Sequence, residues 1–127
     1  MKIYLVALLL VSNIAYAQLW DYVITSNAGT AYYIDPASIL KRDGVVSYGQ
    51  LLNYPNGYDA SNGAIHSIRH TKQIDCKNNT SRTISMIAYG KENLMGDVIT
   101  LSVGRETEWE GINQNSILGI YRDEVCK

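Results

Sequence analysis

Ser67-Ile68-Arg69-His70-Thr71-Lys72-Gln73-Ile74-Asp75-Cys76 is the stretch that decides how this chain folds. It reads as the core of one long strand running from about Ala64 to Cys76. On a pleated strand, residues of one parity share a face. Ile68, Ile74 and Cys76 are therefore expected to face the core, and Ser67, Arg69 and Gln73 to face out. The strand ends on one of only two cysteines; the other, Cys126, is the penultimate residue. A bond between them would tie the middle of a sheet to the C-terminal segment and close a loop of about fifty residues, worth roughly 4 kcal/mol in the chain-entropy model. Against the net stability of such a domain, about 5–15 kcal/mol, that is a large share. The competing uses of two cysteines are a metal site, for which further sulfur ligands are lacking, and a redox site, which calls for closer spacing.

Working toward the N-terminus, Val45 to Asn53 reads as a strand with Val46, Tyr48, Gln50 and Leu52 on one face. Pro55 to Gly63, with two Asn-Gly pairs, predicts a long mobile loop between it and the decisive strand. Trp20–Thr25 and Thr30–Ile34 predict a hairpin across the Ser26–Gly29 turn. Asp35-Pro36-Ala37-Ser38-Ile39 is expected to break the second strand with a helical turn, Asp35 capping and Pro36 at its first position. Toward the C-terminus, Lys77–Thr80 predicts a turn into a fifth strand carrying Ile84, Met86 and Ala88. An irregular connection spans Gly90–Gly96, and a sixth strand runs from Asp97 to Val103. Ile117, Ile120, Tyr121 and Val125 recur at helical spacing, with Asn115 or Ser116 as N-cap. Gly119 is expected to weaken that helix by up to about 1 kcal/mol relative to alanine. Six strands followed by one helix is an α+β pattern.

The 127 residues hold one domain. Lys2, the apolar run Ile3–Val11 and Ala15-Tyr16-Ala17 predict a signal peptide over residues 1–17, leaving a single domain over 18–127. The apolar run is short for a retained membrane anchor. Loss of Lys2 leaves 10 basic and 12 acidic residues, a net charge of −2. That is too mild to point to nucleic acid or a polybasic membrane contact. No cysteine near the cleavage site offers a lipid attachment point, and no later segment is apolar enough to span a membrane. The expectation is an exported protein, periplasmic or at the cell surface, without a lipid anchor, in a space where disulfides persist.

Chemistry-bearing patterns are sparse. His66 and His70, four apart on a strand, lie roughly 13 Å apart, too far to chelate one metal. No serine sits in a Gly-x-Ser-x-Gly elbow. Asn78-Asn79-Thr80-Ser81 holds two overlapping glycosylation sequons but reads as a polar turn between two strands. The ten glycines form no phosphate-cradling motif. The sequence therefore predicts no enzyme, no metal and no cofactor. What remains is a surface: Arg69, Lys72, Lys77 and Arg82, with His66 and His70 alongside, form across a hairpin either a basic patch for an acidic or sulfated partner or an ordinary solvated strand face.

One ordered set of short motifs goes further. Trp20, Tyr32-Tyr33-Ile34-Asp35 with Ser38-Ile39, Ser67-Ile68-Arg69 and Asp75-Cys76 are followed by Tyr89-Gly90 to Met95-Gly96, then Trp109, Ser116 and Val125-Cys126. Together they resemble the surface-adhesin protein E family of small exported bacterial proteins. The resemblance implies an antiparallel sheet of about six strands with a C-terminal helix packed on it and held by the Cys76–Cys126 disulfide. It implies binding to host extracellular-matrix or serum proteins, and a homodimer. It places Ser67 and Arg69 in a ligand-contacting segment, to which charge adds Lys72, Lys77 and Arg82. A periplasmic inhibitor or accessory protein is the alternative reading.

Overall fold

The middle of the chain folds as two long antiparallel strands, β3 (Val45–Ala60) and β4 (Gly63–Asp75), joined by a two-residue turn at Ser61 and Asn62. A computed structural model of the chain describes residues 19–127; the expected signal peptide lies outside the described residues. Around this hairpin the sheet grows by nearest neighbours. β1 (Asp21–Thr25) and β2 (Ala31–Arg42) add on one side, β5 (Thr80–Lys91) and β6 (Met95–Val103) on the other, giving the spatial order β1-β2-β3-β4-β5-β6. A two-residue β7 (Glu110–Gly111) returns to pair with β5, and α1 (Ile117–Val125) ends the chain. Every pairing is antiparallel. The α+β expectation of six strands and one terminal helix holds.

Parity sorts the core. Val46 and Tyr48 on β3 and Ile74 on β4 join Ile34, Ile112, Tyr121 and Val125 in one buried cluster, so α1 covers this face. Tyr121 stacks on Tyr48 with ring centroids 5.4 Å apart, and its hydroxyl donates to the Tyr33 carbonyl oxygen at 2.9 Å. Ser116 caps the helix by accepting from the Gly119 amide. Ile120, expected on the inner face, is largely exposed; Gly119 is buried in its place. A Cβ on Gly119 would lie 2.5 Å from the Gln114 carbonyl oxygen, so its lack of a side chain is what lets the loop before the helix close over it. Cys76 is bonded to Cys126, fastening the last residues of α1 beside the end of β4.

Three local expectations are overturned. Asp35–Ile39 makes no helical turn: β2 continues through it, with a register shift between Asp35 and Leu40. Asp35 does cap, accepting from the Ala37 amide at 3.1 Å, while the Ser38 hydroxyl donates to the Asp35 carbonyl and accepts from the Gly49 amide. Proline suits such a bulge because it has no N–H to place in the ladder. Nor is Pro55–Gly63 a long loop. β3 runs on to Ala60, its irregularity confined to Asn53–Tyr58, where Gly57 takes φ +68° and the His66 ring packs over it. Tyr54 and Tyr58, 4.9 Å apart edge to face, give this end a packed pair that polar composition conceals. Finally, Ser67 does not face solvent. It is fully buried, its hydroxyl donating to the Lys91 carbonyl at 2.5 Å and accepting from the Leu94 amide at 2.9 Å. Its cross-strand partner Asn53 exchanges two 2.8 Å hydrogen bonds with Asn93. Together they anchor the 3₁₀ turn Glu92–Leu94, where Asn93 and Leu94 adopt positive φ.

Candidate functional site

The pleat splits the predicted basic cluster. Arg69 and Arg82 lie on the sheet face away from α1, Lys72 on the helix side, and Lys77 in the exposed turn after Cys76. Lys72 shares its row with Tyr48, the residue that stacks on the helix, and donates to the Thr83 hydroxyl at 2.8 Å. Burial lowers its pKa, an effect that Glu110 opposes. Lys77 donates its backbone amide to Asp75, whose carboxyl is held below its usual range chiefly by hydrogen bonds from Asn78. Ser67 presents no surface at all.

On the open face each arginine is laid against a tryptophan. The Arg69 guanidinium sits 5.9 Å from the Trp20 ring and donates to the Thr71 hydroxyl. It lies across Gly49 on β3, where a Cβ would meet Nη2 at 3.0 Å, so the glycine provides the floor that the guanidinium crosses. Arg82 sits 4.5 Å from the Trp109 ring, a closer cation–π contact. Its Nε donates to the Gln73 side-chain oxygen at 2.9 Å, and the Gln73 amide donates to the Ser47 hydroxyl at 3.1 Å. This relay crosses β5, β4 and β3 along one row and holds Arg82 in place. The row forms the floor of a depression of about 340 Å³, bounded by Leu40, Arg42, Asp43 and Trp109.

Among the described residues the ion pairs are Arg122–Asp123 and Lys127–Glu124, both at the C-terminal end. Arg42, Arg69 and Arg82 have no carboxylate salt-bridged to them there. Such an arrangement offers planar donors, backed by aromatic rings, to carboxylate or sulfate groups. Sequence reasoning found Arg69 and Arg82 by charge. It missed Arg42, Trp20 and Trp109 as their companions, because only strand order brings residues 20 and 69, or 82 and 109, together. The histidines part company: His66 shares a hydrogen bond with the Gly90 carbonyl through Nδ1, whereas His70 is largely buried with Nδ1 unpartnered. No group of three or more His, Cys, Asp or Glu suited to a metal occurs among the described residues, and no described helix is long and apolar enough to cross a membrane.

Comparison with known proteins gives a consistent picture. The fold is similar to crystal form II of Haemophilus influenzae protein E, with a TM-score of 0.65 at 15% identity, covering 90% of this chain and 96% of that one. It is similar also to protein E from non-typeable Haemophilus influenzae, with a TM-score of 0.64 at 17% identity over 92% and 81% of the two chains. At these identities the likeness speaks for the fold alone. A comparison of the sequence with curated proteins finds no match. The family model for surface-adhesin protein E, however, matches residues 20–127, nearly all of the described chain, and the chain belongs to that family.

Proposed function

We propose that this chain is an exported, non-catalytic binding module whose ligand face is the sheet surface opposite α1, and that its ligands are acidic segments of host extracellular-matrix or serum proteins. The observation that carries the reading is the pair of arginines laid over tryptophans, joined by Arg42, with none of the three in a salt bridge among the described residues. Membership of a surface-adhesin family supports the adhesive class. The ligand's acidic character follows from charge complementarity, which sets specificity and encounter rate more than raw affinity.

The test is a triple variant, Arg42→Ala, Arg69→Ala and Arg82→Ala, presented to a panel of immobilised matrix and serum proteins at low and high salt. Binding by the parent chain should weaken with salt, and the variant should lose it by roughly tenfold or more with an unchanged circular-dichroism spectrum. Parent-level binding by a folded variant removes this face. Export through the residue 1–17 segment belongs to the same proposal. Protease accessibility on intact cells checks surface display; complete protection would favour a periplasmic accessory role.

A homodimer is part of this reading, and we propose the outer edge of β6 as its seam. β6 ends the strand order, Val98, Leu101 and Val103 on it are exposed, and Asp97 is its one charged residue. Natural edges of this kind are normally guarded by charge, proline or a covering element. Leu101→Lys should leave a monomer in sedimentation experiments if the parent is dimeric; a dimer that survives it lies elsewhere.

A further inference from the structure

The outer flank of β5 is interrupted once. β6 pairs with it from Lys91 back to Ser85, and β7 resumes at Ser81 and Thr80. Between these, Thr107 keeps backbone contact, its amide donating to the Thr83 carbonyl while its hydroxyl accepts from the Thr83 amide. Gly104, at φ +82°, turns the chain out of the ladder just before Arg105. Directly opposite, β5 carries its own irregularity, the extra residue Ile84 between the pairs Thr71–Ser85 and Lys72–Thr83. The interruption opens a notch of about 260 Å³ lined by His70, Thr83, Ser85, Ser102, Arg105 and Thr107, together with Met86.

The chemistry of that lining is one-sided. The Thr83, Ser102 and Thr107 hydroxyls belong to this lining, and two of them are already acceptors within the protein: Thr83 from the Lys72 ammonium and Thr107 from the Thr83 amide. A hydroxyl used in this way keeps its proton for donation outward. Arg105 is exposed and forms no ion pair among the described residues. The Lys72 ammonium stands one hydrogen bond behind Thr83. No carboxylate lines the notch. Beside it, His70 Nδ1 is buried without a partner, as are Gln50 Oε1 and Tyr48 Oη in the same and the next cross-strand row of β3. Buried polar atoms are rarely left unmatched, and of these three His70 is the residue that lines the notch.

We propose that this notch binds a tetrahedral oxyanion, phosphate or sulfate, either as the free ion or as the ester group of a larger molecule. Hydroxyl donors and one guanidinium around a small opening match the several acceptor oxygens of such a group. The inference is independent of the ligand face proposed above, which lies on the other side of the sheet and uses different residues.

The experiment is a titration of the disulfide-bonded chain, followed by amide chemical shifts. Inorganic phosphate, inorganic sulfate and a sulfated disaccharide are each added at ionic strength held constant with sodium chloride. Saturable shifts at Thr83, Ser85, Ser102, Arg105 and Thr107 that chloride does not reproduce are expected. Arg105→Gln and Ser102→Ala should each weaken them, about tenfold for the arginine. Saturation by the inorganic ions assigns the site to the free anion, and saturation by the disaccharide alone assigns it to the ester. Absence of saturable shifts with all three probes overturns the proposal, and so does equal binding by a folded Arg105→Gln variant.

Discussion

Removing the Cys76–Cys126 bond by substituting both residues with alanine isolates what the covalent tie contributes. The two cysteines are separated by 50 residues, and releasing a loop of that length returns about 4 kcal/mol of chain entropy to the unfolded state. The native side of the comparison changes little, because both sulfurs are only partly buried and sit at the margin of the cluster formed by Ile74, Tyr121 and Val125. With a domain of this size, a loss of that magnitude corresponds to a fall in Tm of about 15–30 °C. Urea unfolding, followed by tyrosine and tryptophan fluorescence, should show the midpoint falling and the m-value rising, since the untied unfolded chain exposes more surface. The two readings distinguish an unfolded-state effect from simple loss of packing, which lowers the midpoint at constant m. A loss below about 1 kcal/mol would refute the reasoning. It would mean that the Tyr121 hydrogen bond and ring stack hold α1 in place unaided, and that the disulfide merely decorates an already closed structure.

Three further outcomes follow from single side chains. His70 has its pKa lowered to about 4, mainly by burial and secondarily by Lys72; the unfolded chain takes up a proton near pH 6.5 that the native state refuses, so stability should fall as pH drops from about 6.5 to about 4, by at most about 3 kcal/mol. A His70→Asn variant should flatten that part of the pH–stability curve, and an unchanged slope would show that other groups carry it. Gly119→Ala gains helix propensity worth about 1 kcal/mol but sets its methyl against the Gln114 and Asn113 carbonyl oxygens; calorimetry should record a lower Tm, and a higher one would mean the loop before α1 yields easily. Ser67→Ala removes the two hydrogen bonds that its hydroxyl makes to Lys91 and Leu94 and should destabilise by about 1–3 kcal/mol, read by urea unfolding, while host-protein binding by the folded fraction stays at the parent level.

Much of the fold could be read from the chain because the strands alternate cleanly where it matters. Ile68 and Ile74 on β4, and Val46 and Tyr48 on β3, are buried as their parity requires. The errors arose where a local signal competed with a distant partner. Pro55–Gly63 has the composition of a loop, yet Tyr58–Ala60 pair with β4 and Tyr58 packs on Tyr54. Asp35-Pro36 has the form of a helix start, yet Gly49 across the ladder accommodates a bulge in which the Ser38 hydroxyl reaches a strand amide. Ser67 looks like an outward residue because its neighbours on that face are polar; what covers it is a turn some twenty-five residues later in the chain. In each case the deciding atom lies on another strand, where a window along the sequence cannot see it.

The candidate site shows the same limit in a form that bears on function. Arg69 and Lys72 are three apart, near neighbours in sequence, but an odd spacing on a strand sends them to opposite faces. The extra residue Ile84 on β5 then keeps Arg82 level with Gln73 and on the Arg69 side. A run of positive charge in sequence therefore becomes two separate cationic loci. One is open, with Arg69 and Arg82 each backed by a tryptophan and held by a side-chain hydrogen bond. The other is a hydroxyl-lined notch at the flank of β5. The first is matched to the carboxylates of an acidic polypeptide, the second to a tetrahedral oxyanion. A sheet of this thickness keeps them apart, so a single flat partner cannot engage both at once. If the chain is adhesive through the open face, occupancy of the notch should leave that adhesion intact, and competition between the two ligands would contradict the sidedness on which both assignments depend.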